Sequence, residues 1–168
     1  MNTSKGFTLI ELVITIAVLS LGIIGVYSAF NPIVVATYNL SSRLTATYLA
    51  EEGMEVVRNI RDTNVANAKL WSAELAGCSL GCQLDYKTGT NAQLFEDQLK
   101  VYDDKNFLVQ NADGFYGYGD GQKTLFTRKI TITQNDSPDI MKVQVQVFWN
   151  YNGQPLSFQT SGYLYNYR

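Results

Sequence analysis

The chain has 168 residues, with 13 Lys and Arg against 15 Asp and Glu, a formal net charge of −2 and no histidine. That length allows one ordinary domain plus one long additional element. Without His, imidazole acid–base work, His-aligned triads and His-ligated metals are excluded, and the missing basic excess leaves nucleic acid without an electrostatic footprint. Eleven Tyr, eight Phe and two Trp against three Met suit a β-rich domain with firm walls rather than a plastic groove. No constellation of side chains points to an enzyme, and no cofactor is expected.

The chain begins with Met1 to Lys5 and then Gly6-Phe7-Thr8-Leu9-Ile10-Glu11-Leu12. From Phe7 to Phe30 a single formal charge, Glu11, stands among Ile10, Val13, Ile14, Ile16, Val18, Leu19, Leu21, Ile23, Ile24 and Val26. As a helix rising ~1.5 Å per residue this run reaches ~36 Å, enough to cross a ~30 Å hydrocarbon layer. Lys5 precedes it and Arg43 is the first cation after it, so the positive-inside rule predicts a cytoplasmic N-terminus with the remainder outside. A carboxylate within a spanning helix costs about 2.5–3.5 kcal/mol on insertion scales and calls for a partner. No cation lies within reach of Glu11 along the helix. A cleavable secretory signal ending near Val34-Val35-Ala36 is the competing reading. It fits poorly, because such apolar regions run only about 7–15 residues and carry no charge.

The octet Lys5 to Leu12 resembles the N-terminal signature of type IV pilins and of their relatives, the type II secretion pseudopilins. The resemblance implies a leader, Met1 to Gly6, cut by a prepilin peptidase between Gly6 and Phe7, followed by N-methylation of Phe7. It also implies that Glu11 of one subunit meets the new amine of Phe7 on a neighbour in a filament. An α-amine is largely protonated at neutral pH, and attraction between unit charges grows as the dielectric falls. Pairing of Glu11 with Phe7 of its own chain, one turn away, is the alternative. The family further implies an α+β fold, a long N-terminal helix packed on a C-terminal antiparallel sheet. Its other expected partners are a membrane platform and a motor ATPase.

After Phe30, Pro32 removes a donor to the carbonyl of Ser28 and crowds that turn, so a kink or a locally melted turn is predicted, with Gly22 and Gly25 weakening the helix before it. Related pilins loosen this part of the helix in filaments, although Pro32 lies about a turn beyond the commonest family position, here Ser28. From Ile33 to about Asp62 the pattern becomes amphipathic. Ala46, Leu49, Ala50, Gly53, Val57 and Ile60 form a stripe at spacings of three and four, and its small residues would let a sheet approach closely. Glu55 with Arg58, and Arg58 with Asp62, stand at helical pairing distance.

Residues 63–107 read as a variable, polar connection with short helical or extended pieces. Cys78 and Cys82 lie in it, and an exterior compartment with an even Cys count predicts a disulfide. Two thiols are too few for a Cys-only zinc site. Residues 108–168 alternate as an antiparallel sheet does. Phe107–Gln110 and Phe115–Tyr118 flank an Asp113-Gly114 turn. Asn111, Asp113 and Asp120 are candidate calcium oxygens but fit no calcium-loop template. Phe126, Ile130 and Ile132 belong to one strand, and Val143, Val145 and Val147 to the dry face of the next. Asn150–Gly153 is a turn and Leu156–Leu164 the last strand. Tyr151, Tyr163, Tyr165 and Tyr167 lack the basic groove of a base-stacking platform. The boundaries that follow are 1–6 leader, 7–30 membrane or filament-core helix, 31–62 amphipathic half, 63–107 connection and 108–168 sheet.

Functionally, these features predict a pilus subunit stored in the cytoplasmic membrane, N-terminus in, and then polymerised outside the cell. A type II secretion pseudopilin or minor pilin shares the motif. An adhesin or DNA-uptake subunit using residues 63–107 is the rival from another class.

Overall fold

The apolar run and the amphipathic stripe become one helix in the computed structural model, which describes residues 6–88 and 100–166 apart from the side chain of Asn31. Met1–Lys5 of the leader, residues 89–99 of the connection, and Tyr167 with Arg168 lie outside the described residues. Helix α1 spans Leu9–Ala66, 58 residues, and the helical assignment continues through Pro32. Its end falls at Ala66, beyond the Asp62 boundary read from the sequence. The chain divides into two units, Met1–Ser41 and Ser42–Arg168.

In the first unit every described side chain from Gly6 to Tyr38 is exposed. The helix is long and apolar enough to cross a membrane by length and composition. A helix that is apolar all round is not stable against water and needs lipid or other helices around it. Four of its aliphatic hydroxyls are satisfied within the helix: Thr15, Ser20, Ser28 and Thr37 each donate to the carbonyl four residues back, at 2.7–2.9 Å. That back-bonding removes most of the penalty for carrying them into an apolar medium.

The second unit holds the core. Its strands are β1 (Cys82–Gln83), β2 (Lys100–Val101), β3 (Val109–Gln110), β4 (Tyr116–Gly117), β5 (Gln122–Lys123), β6 (Thr127–Gln134), β7 (Ile140–Tyr151) and β8 (Gln154–Tyr165). All pair antiparallel, in a five-stranded sheet of order β2-β1-β6-β7-β8 and a three-stranded one of order β4-β3-β5. The fold class is therefore α+β, a long helix with antiparallel sheets. Period-2 alternation sends Ile130, Ile132, Val143, Val145 and Val147 to the dry face, where all are buried. The turn between β7 and β8 is Asn152-Gly153, with φ of 50° and 77°. Both values are positive, as a two-residue hairpin of matching twist requires.

The C-terminal part of α1 lies on that dry face. Leu49, Val57 and Ile60 are buried in one cluster with the sheet valines and isoleucines, and each such side chain contributes about 1.5–3 kcal/mol. Close approach depends on Gly53. A Cβ there would stand 3.0 Å from Val145 Cγ1 and 3.1 Å from Arg128 Cδ.

Residues 63–107 do more than connect. Trp71, Leu75, Cys78, Cys82 and Leu84 all join the core, a short 3-10 helix covers Leu75–Cys78, and β1 and β2 extend the sheet on the side away from β8. Buried Asn64 holds the exit from α1 by donating from Nδ2 to the carbonyls of Trp71 and Ala73. On the exposed side of α1, Arg58 pairs with Glu55 at 3.2 Å, while Asp62 pairs with Arg61 at 2.7 Å instead of Arg58. The neighbouring guanidinium reaches the carboxylate first.

Candidate functional site

Thr8 immediately precedes α1 and caps it: its Oγ1 accepts from the backbone N–H of Glu11 at 3.3 Å. Thr8-Leu9-Ile10-Glu11 has the spacing of a capping box, in which the hydroxyl bonds the third helical N–H. Glu11 lies in the first turn, where a carboxylate also complements the positive end of the helix dipole. Thr15 Oγ1 donates to the Glu11 carbonyl at 2.7 Å. The capping signature was readable in the sequence as Thr-x-x-Glu, beside the assembly reading of the same acid. Among the described residues no ion pair involves Glu11, and Phe7 is 81% exposed.

Gly6 and Phe7 stand outside the helix with nothing within 4 Å of a Cβ built on Gly6. A peptide bond between them is open to a protease. Gly22 and Gly25 are equally uncrowded, and Pro32 lies inside α1. The remaining pair of sequence-selected residues, Cys78 and Cys82, forms a disulfide. Asn111 is occupied as a turn anchor: its Oδ1 accepts from the N–H groups of Asp113 and Phe115, and its Nδ2 donates to Tyr86 Oη. Among the described residues no group of three or more His, Cys, Asp or Glu is placed to hold a metal ion.

Residues 1–27 match the family model described as the prokaryotic N-terminal methylation motif. The N-terminus is a class III signal of the pilin type. No curated protein and no solved structure matches the chain. The motif supports the type IV pilin or pseudopilin family, a structural family and not an enzymatic one. It implies processing by a prepilin peptidase and assembly into pilus-type filaments. Together with the apolar helix it fits a membrane-anchored precursor.

One residue central to the second unit went unread in the sequence. Arg128, on β6, is fully buried. Its Nη1 donates to the Leu49 carbonyl at 2.9 Å and to Glu52 Oε1 at 3.1 Å, both on α1, while Nη2 donates to the Leu84 carbonyl at 2.6 Å. One guanidinium thus ties together helix, sheet and the 63–107 segment, and its planar fork is what allows three acceptors at once. The available signal was phase, since Arg128 alternates with Ile130 and Ile132 on one face. Tyr118 lies beside it, with Oη 3.5 Å from the Arg128 carbonyl and its N–H donating to Asp85 Oδ2. Burial pushes the Tyr118 hydroxyl up to about 12, and Arg128 offsets only part of that rise.

Proposed function

We propose that this chain is a structural subunit of a type IV pilus. It is held in the cytoplasmic membrane with its N-terminus inside, cut between Gly6 and Phe7, methylated on Phe7 and polymerised into an extracellular filament. In that filament the stretch from Phe7 into the apolar helix packs against copies of itself, and Glu11 of an incoming subunit pairs with the Phe7 amine of one already placed. The observation that carries this reading is the octet Lys5 to Leu12 at the head of a helix whose apolar side chains, as far as Tyr38, are exposed on every side. Such a surface suits lipid before assembly and neighbouring helices after it, so one element serves both states. Partners of this kind would repeat by a contact that never closes, which gives fibres instead of rings.

A type II secretion pseudopilin or minor pilin is the second reading, because the matched 27 residues are common to these proteins. N-terminal mass spectrometry on sheared surface fibres tests both. An abundant chain beginning at methylated Phe7 is expected for the pilus subunit, and a trace component would indicate the minor or secretion role. Fibres whose subunits keep Met1 to Gly6 would overturn the processing step and with it the proposed pairing.

A further inference from the structure

Among the described residues the two sheets have four edges, and the edges are not alike. β2 at one end of the five-stranded sheet, and β4 and β5 on either side of β3, are two residues long. β2 and β5 also carry a lysine each, Lys100 and Lys123. Shortness and lysine are the usual devices that keep an edge from recruiting further strands. β8, the other end of the five-stranded sheet, has neither. It runs 12 residues, Gln154–Tyr165, without a formal charge, and only Pro155 near its start lacks a donor.

The hairpin decides which backbone groups face outward. Tyr151 stands opposite Gln154 across Asn152-Gly153, so the Gln154 N–H points to β7, and the direction alternates from there. Ser157, Gln159, Ser161 and Tyr163 therefore turn their N–H and C=O groups away from the sheet. Among the described residues no backbone partner meets them, and their side chains are exposed as well. Pro155 falls in the same outward set, where its missing N–H takes nothing from the ladder with β7. Donors and acceptors repeating every second residue, about 6.8 Å apart, are matched by another extended backbone and by nothing small.

Two observations select a second copy of this chain as that backbone. An edge that picks out a foreign strand does so with complementary charge and with features that reject the wrong partner. β8 has no charge with which to choose, and none to oppose its own image. Antiparallel pairing about Thr160 also matches the strand to itself. Leu156 then faces Leu164, Phe158 covers Gly162 and Thr160 meets Thr160 of the second copy, all on the dry face, while Gln159 meets Ser161 on the wet one. In the single chain Leu156 is 38% exposed and Phe158 half-buried, so apolar surface is covered as the ladder forms.

We propose that β8 pairs antiparallel with β8 of a second copy, across a two-fold axis at Thr160. Such a contact is isologous and closes on itself, whereas a fibre grows by contacts that do not close. The β8 pair is thus a bond between fibres lying side by side, not the one that builds each fibre. This inference rests on the filament reading above. One such contact is weak, and its repetition along two fibres multiplies it.

The test uses sheared fibres of the full chain. Residues opposed in this way have Cα atoms about 4.5 Å apart, within disulfide reach. Thr160→Cys should therefore yield a copy-to-copy disulfide under mild oxidation, whereas Thr131→Cys on the interior strand β6 should not. Ser161→Lys should lower the fraction of fibres lying in bundles, counted in electron micrographs, roughly tenfold through repulsion repeated at every contact. Fibre yield and melting temperature should stay unchanged in that variant, because the side chain is exposed. Fibres that give no Thr160→Cys disulfide, a disulfide to another protein instead, or bundles untouched by Ser161→Lys overturn the β8 pair and leave the filament reading standing. A parent chain that forms no fibres overturns both.

Discussion

Two stretches of α1 carry comparable apolar residues and do opposite things with them. Leu9, Leu21 and Phe30 in the first unit are 80%, 72% and 61% exposed, whereas Leu49, Val57 and Ile60 in the second are essentially buried. Propensity does not separate them, since both stretches are helical. The difference is arrangement around the axis. In the second unit the apolar positions form one stripe backed by Glu51, Glu55 and Arg58, so one face meets the sheet and the other meets water. In the first there is no wet face at all. The lesson is that the second unit's helix is completed by its own chain and the first unit's is not. A polar group in the first unit must accordingly be satisfied locally, as the hydroxyls of Thr15, Ser20, Ser28 and Thr37 are, or by another molecule, as proposed for Glu11.

That contrast can be broken from either side. The largest effect is expected for Glu11→Ala: fibres fall below detection in sheared fractions, while cleavage, membrane insertion and the melting transition of the second unit stay as in the parent chain. Normal fibres from this variant would remove the electrostatic role. Next comes Arg128→Ala, which should leave membrane insertion intact and destabilise the second unit by about 3–5 kcal/mol, the range for breaking a buried pair. Denaturant titration of the full chain in detergent measures it. Arg128→Met combined with Glu52→Gln should cost less than Arg128→Ala alone, because no charge is then left without its counterpart. A double variant as unstable as the single one would show that the backbone carbonyls of Leu49 and Leu84 matter more than the charge.

The smallest effect concerns Tyr118. Its hydroxyl titrates higher in the folded chain than the ordinary value near 10 because burial disfavours the phenolate. The folded state therefore holds this proton more tightly than the unfolded one. The associated stability is complete below pH 10 and disappears as pH rises toward about 12. Tyr118→Phe should flatten stability against pH between those values, read by denaturant midpoints at fixed ionic strength. An unchanged slope would count against the shift.

Much of this molecule was legible in its sequence, and the failures have physical causes. The octet from Lys5 to Leu12 carried the family, since a carboxylate placed early in an uninterrupted apolar run has no role in a plain anchor. Alternation exposed β6, β7 and β8, and glycine's freedom at positive φ marked two turns, Asn152-Gly153 between β7 and β8 and Asp113-Gly114 between β3 and β4. Arg128 was missed because a charge inside an alternating strand is read as solvent-facing, although its phase with Ile130 and Ile132 said otherwise. Residues 63–107 read as a polar connection because strands of two residues, such as β1 and β2, have no period to detect. Only the folded chain shows that Leu75, Cys78 and Leu84 fill the core. The open edge of β8 is invisible for a related reason: strand order belongs to tertiary structure and leaves no trace in spacing.

Gly53 has a further implication for how such a domain can change over time. With Val145 and Arg128 tighter than ordinary van der Waals contact from the place a methyl would occupy, a larger side chain at position 53 needs those neighbours to give by a few tenths of an ångström, room that a smaller residue at one of them would supply. Shrinking Arg128 would abandon Glu52 and two carbonyls, which leaves Val145→Ala as the affordable companion. Change at this crossing point is thus easiest as a paired substitution.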